Sequence, residues 1–303
     1  MVVSKKMFFF AAKRNNYSMN YSVDLLHILT LNVGFAHHDG DWNWKNVRSP
    51  FARLYYVTEG EAQVTIGSDI YPLTPGNLYF IPAFTEHSYV CDSLFSHYYI
   101  HIYEDQQQDS GILDEWNFPV EVKASATDLE LMRRLCYINP FLKLPESDPL
   151  SYDNHSTLVN NIQLNQRRPF CDKVESRGIL YILMSRFLKL ATPKVDVKDD
   201  RIHKSLAYIR KHLDSPLDIN HLAGEAYMSK DHFIRIFKHA TGETPNVYIT
   251  KRKLEKAELI LVTTDLSIKA IANMLAYEDY SYFNRLFKKH TGVTPQQYRE
   301  NHI

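Results

Sequence analysis

Cysteine is scarce in this chain: Cys91, Cys136 and Cys171 are the three among 303 residues, and no two form a C-x-x-C pair. That spacing excludes a disulfide framework and a cysteine zinc knuckle, and it fits a reducing compartment. Long hydrophobic runs are missing too, since no stretch approaches the ~20 apolar residues of a membrane span. The apolar run at 7–12, set between Lys5-Lys6 and Lys13-Arg14, is shorter than a signal-peptide core. The expectation is a soluble cytoplasmic protein with no membrane partner.

Net charge is absent as well, with 35 Lys+Arg against 35 Asp+Glu. The balance hides an asymmetry: residues 200–303 hold 16 basic against 12 acidic side chains, and residues 1–199 hold 19 against 23. A basic C-terminal part beside an acidic remainder points to one domain that meets a polyanion and one that does not. What the chain has in quantity is apolar and aromatic material: 45% hydrophobic residues, with 20 Tyr and 16 Phe, enough for sizeable cores.

Residues from about 23 to 103 read as short strands. β-rich runs at 53–58, 61–66, 78–81 and 97–103 are broken by turn residues. Ala62, Val64 and Ile66 alternate with Glu61, Gln63 and Thr65, the period of a half-buried strand. Closely spaced strands of this kind imply a small barrel or sandwich. From about 125 the pattern turns helical, is interrupted at Pro140, Pro145 and Pro149, and resumes over 174–190 with Ile179, Ile182, Leu183, Phe187 and Leu190 on one stripe. The charged stretch 193–200 reads as an interdomain linker. The division expected is a strand-rich domain over 1–124, a helical connector over 125–192 and a helical, more basic domain over 201–303.

The C-terminal part repeats itself. Ile219-Asn-His-Leu-Ala223 matches Ile268-Lys-Ala-Ile-Ala272 at an offset of 49, and Phe233-Ile-Arg-Ile-Phe-Lys238 matches Phe283-Asn-Arg-Leu-Phe-Lys288 at 50. Thr241-Gly-Glu-Thr-Pro245 matches Thr291-Gly-Val-Thr-Pro295, and Tyr248 matches Tyr298. In each unit a short helix with a small Ala admits the close approach of a second helix. Ser229 is placed to cap that second helix with its hydroxyl. Phe233, Ile236, Phe237 and Ala240 form its apolar stripe, and Gly242 with Pro245 marks its end. The other face shows Asp231, Ile234, Arg235 and Lys238. A helix with Phe inward and Arg outward suits a major groove ~12 Å wide, where Arg can fork onto guanine. Thr244-Pro245 opens a long helix to about Leu261, carrying Lys251-Arg-Lys253, with Val247, Leu254, Ala257 and Leu261 available to pack on both units. Such a rigid spacer would set the units about one DNA turn, ~34 Å, apart. A protein-binding helical repeat is the plainer alternative, but solenoids usually need three or more copies.

These residues resemble the AraC/XylS family of bacterial transcription regulators over about 202–303, the second unit's 282–289 and 291–299 being close to the family signature. The resemblance implies seven helices, with the third and sixth in adjacent major grooves of double-stranded DNA. By alignment it implies base contacts from Asp231, Ile234 and Arg235 in the first unit and from Tyr280, Ser281, Asn284 and Arg285 in the second. One departure stands out. The family usually has Gly-Phe where this chain has Ala276-Tyr277, and glycine eases a tight turn.

Gly76-x5-Pro82-x4-His87 is similar to a cupin motif, and the family resemblance implies a cupin-like β-barrel (jelly roll) ahead of the DNA-binding domain. A metal-holding cupin needs a His pair, a Glu and a later His. The corresponding places fall near Arg48 and Pro50, near Leu54, and at His87, so a single imidazole is left and a metal or cupin enzyme is not expected. His37-His-Asp-Gly-Asp41 reads as a polar loop. The resemblance implies instead a small organic effector inside the barrel, with Trp42, Trp44, His87, Tyr99 and His101 as candidate lining. It also implies RNA polymerase as a partner and a homodimer through the connector helices, whose stripe can equally pack on the barrel of its own subunit. The function expected is effector-responsive transcription control, by activation, with no cofactor and no catalytic residue. Two alternatives stay open: a barrel that serves only dimerisation or protein binding, and an enzyme, such as a DNA-repair activity using a reactive Cys, fused to a DNA-binding module.

Overall fold

A computed structural model describes residues 23, 26–104, 113, 116–146, 148–149, 155–194 and 199–301; the run at 7–12 lies outside them. The first part is built from antiparallel strands. β1 (Ile28–Asp39), β8 (Leu94–Glu104), β3 (Ala52–Gly60), β6 (Asn77–Ile81) and β10 (Glu121–Lys123) form one sheet in that order. β2 (Trp44–Val47), β7 (His87–Val90), β4 (Ala62–Ile66) and β5 (Asp69–Leu73) form the second. The expected barrel is therefore a cupin-like sandwich of two sheets, and its ladder does not close into a cylinder among the described residues.

Alternation in β3 shows why both faces of the larger sheet are apolar. Tyr55 and Val57 enter an aromatic core between the sheets with Trp42, Tyr79, Tyr89 and Phe95. Leu54 and Tyr56 face the other way, with Phe80 and Ile100, onto two helices. Those helices are α1 (Ala126–Ile138), which contributes Met132 and Leu135, and α3 (Phe170–Leu188), which contributes Ile179, Leu183 and Phe187. The α3 stripe thus packs on its own sheet, and Ile182 (43% exposed) and Leu190 (58%) fall off it. His37, His38 and Asp39, expected in a loop, belong to β1 because they pair with Ser96, Phe95 and Leu94 of β8. The expected linker also starts within structure: β9 (Trp116–Asn117) pairs with β11 (Thr192–Pro193), so Pro193 is held against the first domain, and residues 195–198 lie outside those described.

Helix α2 (His155–Arg167) precedes α3, and the described residues of the C-terminal part hold α4 (Asp200–Lys211), α5 (Ile219–Glu225), α6 (Lys230–Thr241), α7 (Pro245–Thr263), α8 (Ile268–Met274), α9 (Tyr280–Thr291) and α10 (Pro295–Asn301). The repeat is visible in atomic detail. Phe233 and Phe237 are buried with ring centroids 5.6 Å apart, and Phe283 and Phe287 with 5.9 Å. Tyr248 meets Phe237 edge-on at 5.5 Å, as Tyr298 meets Phe287 at 5.4 Å. Both second helices end on a left-handed glycine, Gly242 at φ 80 and Gly292 at φ 86, which releases the chain into Pro245 and Pro295. The first unit packs around Ile202, Leu222 and Ile249. The core of the second includes Leu254, Ala257 and Leu261 of α7 and also Leu31, Phe51 and Leu158 from the N-terminal part. Val247 is 53% exposed and takes no part in either core.

Candidate nucleic-acid interface and interior cavity

Helices α6 and α9 present matching outer faces. On α6, Asp231, Arg235 and Lys238 are exposed, while Ile234 is half-buried against the core of its own unit. Arg235 Nη2 lies 2.9 Å from His232 Nδ1 on the same face. On α9, Tyr280, Ser281 and Arg285 are exposed, Asn284 is half-buried, and the Arg285 guanidinium sits 6.0 Å from the Tyr282 ring. Each arginine lies between two buried phenylalanines, so the 3.6-residue period turns it outward.

The caps differ between the units. Ser229 occupies the N-cap of α6 with an extended backbone, but its hydroxyl makes no capping bond; Asp279 caps α9 by accepting from the Ser281 and Tyr282 amides at 2.7 and 3.1 Å. Ala276 takes φ 55, the left-handed conformation that glycine favours, and Tyr227 takes φ 54 at the matching place of the first unit.

The expected basic cluster on α7 is dispersed. Lys251 lies 3.4 Å from Glu243, and Arg252 pairs with Glu255 at 3.0 Å. Lys253 is buried and donates to the carbonyls of Ser215 (3.1 Å) and Leu275 (2.8 Å), bracing one unit against the other. Sequence reasoning missed this because a Lys-Arg-Lys run carries no mark of which member turns inward.

It also missed the contact between the two parts. Glu258 of α7 is wholly buried and receives Arg48, from the loop between β2 and β3, at 2.5 and 3.2 Å. His290 of α9 lies 3.2 Å from the same carboxylate, and the Tyr298 hydroxyl of α10 donates to it at 2.9 Å. Burial pushes this carboxyl's pKa up, but His290, Arg48 and Tyr298 together outweigh burial and leave it below the ordinary value. His155 of α2 adds a second tie, 3.2 Å from the Val262 carbonyl and 3.0 Å from Asp265.

Between the sheets a cavity of about 200 Å³ is lined by Trp42, Tyr99 and His101 together with His38, Tyr55 and His97. Trp44 and His87, also expected there, are outside its lining: Trp44 packs half-buried on the aromatic core, and the His87 Nδ1 bonds the Thr85 carbonyl at 2.7 Å. Gly34 makes room for Tyr99, since a Cβ there would stand 2.4 Å from its hydroxyl oxygen. That hydroxyl accepts from the Leu144 amide at 2.8 Å, drawing the 143–146 segment over the mouth. Burial, with Arg53 adding repulsion, lowers the pKa of His87 to about 3, and burial also keeps His38, His97 and His101 low, so all four are neutral. His38 Nε2 and His97 Nδ1 are buried without a hydrogen-bond partner, leaving polar atoms for an occupant. Among the described residues no group of three or more His, Cys, Asp or Glu is placed to hold a metal.

A strand sandwich enclosing an aromatic cavity, tied through a buried carboxylate to paired helix-turn-helix units, defines a two-part helix-turn-helix protein with a ligand-binding type of domain. Residues 222–301 match the family model described as a helix-turn-helix domain, and residues 32–135 match that of the AraC-like ligand binding domain. The chain thus joins an AraC-like ligand binding domain to a helix-turn-helix domain, the pairing that the resemblance to the AraC/XylS family implied. It is 37% identical over 94 residues to the MmsAB operon regulatory protein of Pseudomonas aeruginosa, 31% of each chain. It is 33% identical over 102 residues to the regulatory protein PocR of Salmonella typhimurium, 34% of each. The match thus spans about a third of the length of these relatives. The lactose operon transcription activator of Staphylococcus xylosus is 21% identical over 82% of this chain and 83% of its own. Among solved structures, the AdpA DNA-binding domain in complex with a target DNA is 27% identical over 33% of this chain and 90% of that chain, with a TM-score of 0.32. No helix among the described residues is long and apolar enough to cross a membrane.

Proposed function

We propose that the protein is a sequence-specific DNA-binding transcription regulator, responsive to a small molecule and acting by activation. The observation that carries this is the doubled outward face of α6 and α9. In two copies a buried Phe pair fixes a helix whose opposite side offers Arg235 or Arg285 to solvent. An arginine there can fork onto guanine O6 and N7, and Asn284 can pair with adenine N6 and N7. Asp231, Ile234, Tyr280 and Ser281 would complete base contacts, and Lys238 would reach phosphate. The Lys253 brace supports a fixed spacing between two successive major grooves. An effector in the cavity would be smaller than molecules that fill ~300–1,000 Å³, with Trp42, Tyr99 and His101 as walls and His38 and His97 as polar partners. RNA polymerase contact and cytoplasmic location belong to the same reading. So does a homodimer, supported by Phe170 and Val174 of α3, which are 79% and 53% exposed.

Selection of bound sites from random DNA, with wild type and single variants, tests this. Arg235→Ala and Arg285→Ala should each cost about 1–3 kcal/mol and relax preference at one or two base pairs. The two patches should lie about ten base pairs apart. Uniform weakening with unchanged preferences would assign both arginines to phosphate. A full chain without salt-sensitive DNA binding would sink the reading.

A further inference from the structure

The lining of the cavity between the sheets limits the chemistry of what can fill it. His38 and His97 are each 2% exposed and stand in that lining. His38 Nδ1 lies 3.2 Å from Asp41 Oδ1, and a carboxylate only accepts, so the proton of this neutral ring sits on Nδ1. Nε2 is then a bare lone pair, buried and without a partner. An occupant must bring it a donor. His97 Nδ1 is likewise buried and unpartnered, and it can accept or donate according to its tautomer. Lys143 and Glu146, the formally charged members of the lining, are both exposed and opposite in sign. A carboxylate inside would therefore meet no buried cation in the lining, and would set its own lone pairs against Nε2. A sugar, with a hydroxyl on nearly every carbon, would leave most of them unpaired. Size narrows the choice further. A cavity of ~150 Å³ suffices for benzene, so the space here, about 200 Å³, takes one aromatic ring with a small substituent.

We propose that the occupant is a neutral monocyclic phenol, its ring against Trp42, Tyr55 and Tyr99 and its hydroxyl donating to His38 Nε2. Aromatic walls with one or two placed polar atoms are the usual makeup of a small-molecule site. The hydroxyl satisfies an acceptor that is otherwise buried unpaired, which is the kind of contact that separates a ligand from its analogue lacking the group. This assignment rests on the effector reading of the cavity, and toluene separates the two failures. A ring taken up with no preference for a hydroxyl leaves the cavity reading standing and sinks the phenol. Binding is measured without DNA, so the DNA-binding reading is tested apart.

The test is calorimetric titration and thermal melting of the full chain with 4-methylphenol. Toluene supplies the ring without a donor, benzoate a ring with an anion, benzylamine a ring with a charged donor, and D-glucose hydroxyls without an aromatic ring. 4-Methylphenol should bind saturably and raise the melting temperature, with every control weaker by about tenfold or more. His38→Phe keeps a ring at the wall and removes the acceptor. It should weaken 4-methylphenol about tenfold, to the level of toluene, and leave toluene as it was. Ala36→Met, at another lining position, fills the space and should weaken both rings. 4-Nitrophenol needs no variant: its neutral form is colourless and its phenolate yellow, so uptake of the neutral form near its own pKa should bleach the solution. No saturable binding of 4-methylphenol overturns the proposal. So does any control binding as tightly, a hydroxyl preference that survives His38→Phe, ring binding indifferent to Ala36→Met, or a yellow that deepens or stays unchanged.

Discussion

Arg48 and Glu258, separated by 210 residues, meet in a two-pronged ion pair whose carboxylate has no solvent exposure at all. The guanidinium reaches it from the sandwich, while His290 and Tyr298 hold it from the second helix-turn-helix unit. Arg48→Ala should destabilise the full chain by about 2 kcal/mol in urea unfolding, since a charged hydrogen bond is removed and the carboxylate stays buried. The double variant Arg48→Ala/Glu258→Gln should recover part of that loss. If it is additive instead, the two side chains are not coupled.

Acid should weaken the fold in two stages. His87 titrates near 3 in the folded chain against about 6.5 unfolded, so the unfolded state binds more protons between those values. Stability is then complete above pH ~6.5 and falls by up to about 1.4 kcal/mol per pH unit per buried histidine as pH drops below it. His38, His97 and His101 shift the same way. Glu258, held below its ordinary value, adds a later loss as pH falls through its folded pKa. Urea midpoints from pH 7.5 to about 3.5 check both stages, and His87→Asn should flatten the first.

Tyr227 and Ala276 hold left-handed backbone at equivalent turns, with φ 54 and 55. A β-carbon is disfavoured there by roughly 1–2 kcal/mol, partly offset by glycine's larger unfolded entropy. Ala276→Gly and Tyr227→Gly should each stabilise by about 0.5–1 kcal/mol in chemical denaturation. Tyr227 is 90% exposed, so no packing is lost with its ring. A destabilised glycine variant would show that these turns are not strained.

Lys253 fastens the Ser215 carbonyl of the first unit to the Leu275 carbonyl of the second. Lys253→Met should cost about 1–3 kcal/mol by leaving the buried Leu275 carbonyl and the half-buried Ser215 carbonyl without this donor. Its effect on DNA should be selective: affinity for sites with both patches should fall further than affinity for a single patch. Equal losses on both DNAs would mean that the lysine does not set the spacing.

How far the sequence was legible follows from the range of each interaction. Phe233 and Phe237 and their counterparts Phe283 and Phe287 announced the helix faces because burial repeats within one helix turn. The alternation at Ala62 and Val64 marked a strand for the same local reason. Ser229 was readable as a cap position, but whether its hydroxyl bonds depends on a rotamer, and in the second unit an aspartate does that work. Trp42 and His87 carry equally suitable chemistry, but only the tertiary packing puts the first in the cavity lining, while His87 on β7 bonds the Thr85 carbonyl instead. Arg48 could not be paired with Glu258 at all, because nothing in either neighbourhood depends on the other until the domains dock.

The burial of α7 also bears on how separable the two parts are. From Ala257 to Val262 every position of the helix is buried, and Leu31, Phe51 and Leu158 of the first part share the core that it forms with the second unit. A recombinant junction cut just before Asp200 would cleanly separate the helix-turn-helix units in sequence, yet strand Glu258 opposite whatever the incoming sensor carries in place of Arg48. The unit that can be inherited intact is therefore wider than the repeat: a sensor can be exchanged only together with its docking residues, and the two halves are bound to change in step.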